Sequence, residues 1–137
     1  MVLRAALAAS FILLPIAAQA AQIGTCSGGN RAARQVTCIV DGDTGWERGV
    51  KWRMAGIDTP ERGKRAACSA ERRKSTEATK RLIQLMRGGY RLVKTGKTGK
   101  YGRVLVRVRL KDGRDAGQVL MREGLAQRWP NRGNPWC

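Results

Sequence analysis

The chain alternates between short apolar runs and polar, turn-rich stretches, and the spacing of these runs predicts its elements. Residues 35–40 are rich in β-branched side chains, which favours a first strand. A second strand is predicted near Trp46 and a third over residues 50–57, so that the three form a short antiparallel meander. Pro60 ends this pattern, because proline cannot donate to a strand ladder.

One helix is predicted after the meander. It starts with Ser69 as the capping residue, continues to about Met86 and ends at the glycine pair 88–89. Its apolar residues recur at i, i+4, i+7 and i+8 and form one stripe: Ala78, Leu82, Leu85 and Met86.

Two more strands and a short helix complete the predicted fold. Residues 90–93 form one strand, and residues 104–110 form another that alternates strictly between apolar and other positions. Asp115, with Gln118 three residues later, caps a last helix that ends at Gly124. Five strands around a small core, with two helices, predict an α+β fold of the five-stranded oligonucleotide-binding (OB) barrel type.

The first twenty residues have the features of an export signal. Arg4 is their only charge, an apolar run covers residues 5–18, and residues 18–20 read AQA, the small-x-small pattern of a cleavage site. The apolar run is shorter than the roughly 20 residues that span a bilayer, although an uncleaved membrane anchor is the alternative. We therefore predict a signal peptide over residues 1–20. A single exported domain over residues 21–137, without a membrane span, is predicted to act in the periplasm or the medium.

Charge and cysteine content narrow the class of partner and the compartment. The chain has 27 basic and 10 acidic residues, no histidine and a formal charge of +17, which attracts polyanions. Nucleic acid is the foremost candidate, but anionic lipid or polysaccharide satisfies the same physics. The four cysteines lack the CxxC spacing of a metal site and favour disulfides in an oxidising compartment.

The sequence allows three disulfide pairings. Cys26 and Cys38 flank the turn-rich residues 27–30, which would fold the chain back on itself, and this leaves Cys68 to pair with Cys137.

Acidic residues collect at the predicted exits of the first and third strands. Residues 40–44 read VDGDT and residues 58–61 read DTPE, and these segments hold four of the ten acidic residues. Because the two strands run in the same direction, Asp43, Asp58 and Glu61 are expected to converge. Oxygen ligands suit calcium or magnesium rather than zinc. Taken singly, each segment also fits ordinary turn chemistry.

Arginines near these carboxylates are candidates for phosphate binding. Residues 100–103 read KYGR, just before the last predicted strand. The planar arginine fork matches phosphate oxygens and stabilises the charge that grows on them during hydrolysis. Arg53 lies five residues before Asp58, so simple alternation places the two on opposite faces of a strand unless a bulge intervenes.

Three segments together resemble the staphylococcal nuclease (thermonuclease) family. They are residues 40–44, residues 53–61, which read RMAGIDTPE, and residues 101–103, which read YGR, and the resemblance extends over residues 35–129. Residues 119–126 also resemble the last helix of that family.

The resemblance implies roles for particular residues. Calcium would be held by Asp43, Asp58 and the backbone carbonyl of Thr59. Asp41 would lie next to these ligands without binding the ion directly. Glu61 would be the general base or the residue that positions water, and Arg53 and Arg103 would grip the scissile phosphate. Lys100 and Tyr101 would contact the substrate. The expected activity is calcium-dependent cleavage of DNA and RNA, with little sequence preference and 3′-phosphate products, by a monomer without a stable protein partner.

The chain also departs from the family pattern. The hairpin between Asp43 and Arg53 is short, Gly45 and Gly99 replace other residues, and residues 129–137 replace the family's C-terminal helix with a tail. An inactive basic module that binds nucleic acid or acidic polysaccharide is therefore the alternative, and a cationic protein acting on membranes or envelope polymers is a third reading. The complete set of carboxylates and arginines favours the nuclease.

Overall fold

The computed structural model describes residues 22–137, so the predicted export signal at residues 1–20 lies outside the described residues. Seven strands and two α-helices occur in this part of the chain. Their bounds are β1 Cys38–Asp41, β2 Thr44–Glu47, β3 Val50–Met54, β4 Ile57–Asp58, α1 Ser69–Arg87, β5 Tyr90–Thr98, β6 Val104–Leu110, α2 Ala116–Arg122 and β7 Gln127–Arg128. Short 3-10 turns lie at Gly63–Arg65 and Lys100–Gly102.

The main sheet has five strands in the order β1-β2-β3-β6-β5. The β3–β6 pair is parallel and the other pairs are antiparallel. The predicted five-stranded α+β fold is confirmed, but within residues 22–137 β1 and β5 remain the sheet edges, so backbone pairing does not close a barrel. The free side of β1 is occupied instead by the N-terminal segment, where Cys26 N donates to Ile39 O at 2.8 Å and Ile39 N donates to Gly24 O at 2.8 Å.

The third predicted strand is divided in two. Ala55 and Gly56 form a turn in which Gly56 has φ 73°, a conformation that glycine adopts without steric cost. The strand therefore ends at Met54, and β4 then pairs with β7 rather than continuing in the main sheet. The prediction of one continuous strand over residues 50–57 was wrong, and the turn changes which side chains face each other.

The helix α1 begins where the sequence predicted, although its cap differs. Cys68, not Ser69, is the N-cap, and its sulfur accepts from Glu71 N at 3.4 Å. The predicted stripe is buried: Ala78, Leu82, Leu85 and Met86 are at most 9% exposed. This stripe joins one continuous core with Trp52, Val106 and Val108 on the inner face of the sheet.

The second half of the chain follows most of its predicted pattern, but β5 continues to Thr98, five residues beyond the predicted end, and β7 was not predicted. Alternate residues of β6 are buried from Val106 to Leu110. Asp115 caps α2 by accepting from Gln118 N at 3.1 Å, and the helix ends at Arg122, two residues before the predicted end. No helix within residues 22–137 is both long and apolar enough to cross a membrane.

Two disulfides connect distant parts of the fold, and they are the pairs expected from the sequence. Cys26–Cys38 fastens the N-terminal segment to β1. Cys68–Cys137 fastens the last residue to the start of α1 and closes a loop of 69 residues, which restricts the unfolded chain strongly. The second disulfide fixes where the C-terminal tail can lie.

Candidate active site

Asp43 is the buried centre of the candidate site, in the turn between β1 and β2. It is 3% exposed. Its Oδ1 accepts from Arg53 Nη1 at 2.9 Å and from Thr44 Oγ1 at 2.9 Å, and its Oδ2 accepts from Thr59 N at 3.1 Å. These contacts bring β2, β3 and the segment after β4 together around one carboxylate.

The charge of Asp43 is not fully compensated. Burial, and next the charge of neighbouring Asp41, raise the pKa of Asp43 to about 6, although Arg53 opposes the change. Asp41 is close because its Oδ1 accepts from Asp43 N at 3.2 Å. A second positive charge would therefore be favourable beside Asp43.

Arg53 bridges two carboxylates. Besides its contact with Asp43, its Nη2 lies 3.4 Å from Asp58 Oδ1 and donates to Ile57 O at 3.3 Å. Strand alternation could not place Arg53 in the site. The turn at Gly56 reorients β4, so that Asp58 and Arg53 meet although five residues separate them.

The C-terminal tail supplies the other partners of Asp58. Asn131 Nδ2 donates to Asp58 Oδ2 at 2.8 Å, and Gln127 Nε2 lies 3.5 Å from the same oxygen. Sequence reasoning missed both residues. The Cys68–Cys137 disulfide, which returns the tail to the start of α1, is the only sequence signal that pointed to this region.

Glu61 lies apart from this network. Its side chain is 47% exposed, and its Oε2 lies 3.2 Å from Arg65 Nε. Its backbone N–H donates to Glu71 Oε1 at 2.9 Å. The structure therefore fixes the backbone of Glu61 and leaves its carboxylate at the surface, which differs from the convergence expected with Asp43 and Asp58.

Glu71 organises the loop that carries Glu61. It is 3% exposed and accepts from Glu61 N, from Ala67 N at 2.7 Å and from Asn134 Nδ2 at 2.9 Å. Burial alone would raise the pKa of Glu71, but these hydrogen bonds outweigh it and lower the pKa. Glu71 lies three residues after the Cys68 cap, a position from which a glutamate often binds nearby backbone N–H groups, and the prediction of Ser69 as the cap concealed this signal.

The segment Lys100–Gly102 with Arg103 forms an exposed turn at the start of β6. Tyr101 has φ 62° and is 81% exposed. Lys100 Nζ and Arg103 Cζ lie 5.1 and 5.8 Å from the centre of its ring, and Arg103 Nε donates to Lys100 O at 2.9 Å. The next residues of β6 pair with β3, Val104 with Trp52 and Leu105 with Arg53. The turn therefore lies beside the strand that carries Arg53, while its side chains contact one another.

The donor set of the site suits a hard cation. Across residues 22–137 no three acidic, cysteine or histidine side chains lie close enough to enclose a metal by themselves. However, Asp41, Asp43 and Asp58 carry three negative charges beside the single positive charge of Arg53. Asp43 and Asp58, with the backbone carbonyl of buried Thr59, offer oxygen only, which fits calcium completed by water or phosphate oxygens.

The chain resembles a known protein family over more than half of its length. A family model described as staphylococcal nuclease homologue matches residues 51–134. The matched region runs from β3 to the C-terminal tail and contains Arg53, Asp58, Glu61 and Arg103. No curated protein sequence matches the chain.

Proposed function

The chain belongs to the staphylococcal nuclease homologue family, and from this premise we propose that it is an exported, calcium-dependent phosphodiesterase that hydrolyses DNA and RNA with little sequence preference. The observation that carries the proposal is the position of Arg53 between Asp43 and Asp58, in a side-chain cluster with more negative than positive charge. A module that only holds polyanions gains nothing from carboxylates in that place. The export signal over residues 1–20 is part of the same proposal, and the two disulfides are compatible with it.

Asp43, Asp58 and the Thr59 carbonyl are proposed to hold the calcium ion. When bound, the ion would polarise a phosphate oxygen and offset the charge that accumulates there during hydrolysis. Asn131 holds Asp58 through Oδ2, and Thr59 N holds Asp43 through Oδ2. These hydrogen bonds orient the two carboxylates through Oδ2, so that Oδ1 of each, which now accepts from Arg53, is the oxygen that would face the ion.

Arg53 and Arg103 are proposed to bind the scissile phosphate. The two terminal nitrogens of Arg53 now donate to carboxylates, and neutralisation of those carboxylates would free its donors for phosphate oxygens. Arg103 would approach from the turn beside β3, with Lys100 and Tyr101 contacting the neighbouring nucleotide. Donors that bind the phosphate more tightly as its charge grows lower the barrier rather than only the binding energy.

Glu61 is proposed to accept a proton from the attacking water or to position that water. Water oxygen bonds to phosphorus, the P–O5′ bond breaks, and O5′ takes up a proton from solvent, so that the products are a 3′-phosphate and a 5′-hydroxyl. For this role the Glu61 carboxylate must turn from Arg65, and its surface position leaves it free to do so. Glu71 would keep the backbone of Glu61 in place during that movement.

An inactive module that binds nucleic acid or acidic polysaccharide is the second candidate. It is favoured by one observation: Glu61 pairs with Arg65 instead of facing the other carboxylates. In this reading the excess of basic residues holds the polyanion, and the acidic cluster stabilises the turn between β1 and β2.

The two candidates differ in a cleavage assay. The disulfide-intact chain over residues 21–137 is incubated with single-stranded DNA or RNA in calcium, magnesium or chelator. We expect calcium-dependent cleavage that Glu61→Gln reduces by at least about 100-fold, a typical loss for general acid–base catalysis. Glu77→Gln is the matched control, because Glu77 is an exposed glutamate of α1 that pairs with Lys74. Tight binding without cleavage in any metal would favour the binding module.

A further inference from the structure

A pocket lined by arginines lies on the outer side of β6 and α2. Its volume is about 350 Å³. We call it the arginine pocket and define it by Arg107, Arg109, Arg114 and Arg122. Gly113, Asp115 and Gln118 complete its lining.

The pocket has an excess of positive charge. Its carboxylate, Asp115, already caps α2 by accepting from Gln118 N, and Asp112 pairs with Arg114 at 2.8 Å. Arg109 donates to Gly113 O at 3.2 Å, a contact with no compensating charge. Asp112 therefore compensates Arg114, whereas Arg107, Arg109 and Arg122 form no ion pair within residues 22–137.

The pairing of β5 with β6 beside the pocket places two positive charges opposite each other, which lowers the stability of the sheet. Arg109 of β6 lies directly opposite Arg91 of β5 in the antiparallel register. Side chains of directly opposite residues share a face, and like charges in that arrangement destabilise a sheet. A polyanion bound in the arginine pocket would offset this repulsion, because it would place negative charge beside Arg109.

The arginine pocket and the candidate active site share one face of the sheet. Arg53 pairs with Leu105 of β6, and Arg107 and Arg109 follow on the same face by strand alternation. At about 3.3 Å per residue, Arg107 and Arg109 lie roughly 13 and 20 Å along the strand from Arg103. A stacked strand that rises about 3.4 Å per nucleotide covers that distance in roughly four to six nucleotides.

We propose that the arginine pocket is a second phosphate site, which holds the backbone of single-stranded nucleic acid about four to six nucleotides from the bond cleaved in the candidate active site. The position of the cleaved bond rests on the proposed function, whereas the binding site itself does not. The planar forks of the arginines suit phosphate oxygens, and the shared sheet face gives one strand a direct course between the two sites.

The test compares two double variants with the same loss of charge. Arg107→Gln with Arg122→Gln alters the pocket, whereas Arg72→Gln with Arg73→Gln alters exposed positions on α1. Binding of 4- and 12-nucleotide single strands is measured by competition anisotropy in chelator, which prevents metal-dependent cleavage. The pocket variant should bind the 12-mer about tenfold more weakly, with a salt slope lower by about 2, and bind the 4-mer like the wild type. The control should bind both within about twofold of the wild type.

Three results with the single strands would overturn the proposal. They are unchanged binding of the 12-mer by the pocket variant, an equal loss for both lengths, and an equal loss in the control variant. If the pocket variant loses binding only to a heparin-like polysaccharide, the pocket binds another class of polyanion, and this result would also overturn the proposal. Length-dependent loss in a protein that never cleaves would uphold the arginine pocket while the proposed function fails, so the two failures are distinguishable.

Discussion

The two arginines proposed to bind phosphate lie in contrasting surroundings. Arg53 is held between Asp43 and Asp58 on the rigid sheet, with 19% of its side chain exposed. Arg103 lies at the end of an exposed turn, where Tyr101 adopts a positive φ and the side chains contact one another. The side proposed to hold the cation is therefore already ordered by hydrogen bonds, whereas the side proposed to bind the nucleotide is an exposed turn that substrate would have to order.

This contrast has an energetic consequence. Removing one partner of a buried ion pair leaves an uncompensated charge, whereas removing an exposed charge changes little. Substitutions on the Arg53 side should therefore change stability, whereas substitutions on the Arg103 side should change substrate binding, and four variants test this difference.

Arg53→Ala should have the largest effect on folding. Without calcium it is expected to lower the free energy of unfolding by about 3 kcal/mol, because Asp43 keeps only its contacts with Thr44 and Thr59. Arg103→Ala serves as the control and should change it by less than about 0.5 kcal/mol. Urea unfolding in chelator measures both values, and equal losses would contradict the contrast between the two sides.

Glu71→Gln should come next, at about 2 kcal/mol, because an amide accepts fewer of the hydrogen bonds that hold the loop carrying Glu61. The pKa of Glu71 is lowered from 4.5, so its charge stabilises the fold fully above pH 4.5. That stabilisation is lost as the pH falls through the lowered pKa. Between pH 3 and 6, the free energy of unfolding from urea titrations should therefore fall less steeply with decreasing pH for Glu71→Gln than for the wild type. Parallel pH dependences would refute the role of this carboxylate.

Asn131→Ala tests the contribution of the C-terminal tail. Loss of its hydrogen bond to Asp58 Oδ2 should cost about 1 kcal/mol in stability and weaken calcium binding, because Asp58 loses an orienting donor. Calorimetric titration with calcium measures the second effect. Arg132→Ala, one residue further along the tail, is the matched control, and the two variants behaving alike would remove the tail from the site.

Tyr101→Ala should have the smallest effect on folding, within about 0.5 kcal/mol, because the ring is exposed. Its effect should appear in substrate binding instead, as a KM raised about tenfold by the loss of a stacking surface, with kcat little changed. Steady-state cleavage of a short oligonucleotide measures both constants. A lower kcat with unchanged KM would place Tyr101 on the preorganised side of the site.

Local pattern predicted the elements and the main carboxylates. Alternation in β6, the apolar stripe of α1 and the cap at Asp115 each depend on neighbouring residues, and each is confirmed. The position of Arg53 was not predictable, because one turn with Gly56 at positive φ reverses the result of strand alternation.

Contacts between distant residues explain what the sequence did not reveal. Asn131 meets Asp58 across 73 residues, and Asn134 meets Glu71 across 63, in geometry that the fold and the Cys68–Cys137 disulfide impose together. The open sheet has a similar cause, because the N-terminal segment takes the free edge of β1. Neither arrangement leaves a periodic pattern in the sequence.

A calcium titration of the cleavage rate, with wild type and Asp43→Asn on one single-stranded oligonucleotide, distinguishes a calcium-dependent nuclease from a binding module. Asparagine keeps the shape of Asp43 and removes its buried negative charge. Burial raises the pKa of the Asp43 carboxyl, so the charged form is unfavourable there and the variant should remain folded in chelator. We predict saturable activation of the wild type and none of Asp43→Asn. Cleavage by the wild type without calcium, or full activation of a folded Asp43→Asn, would contradict the account.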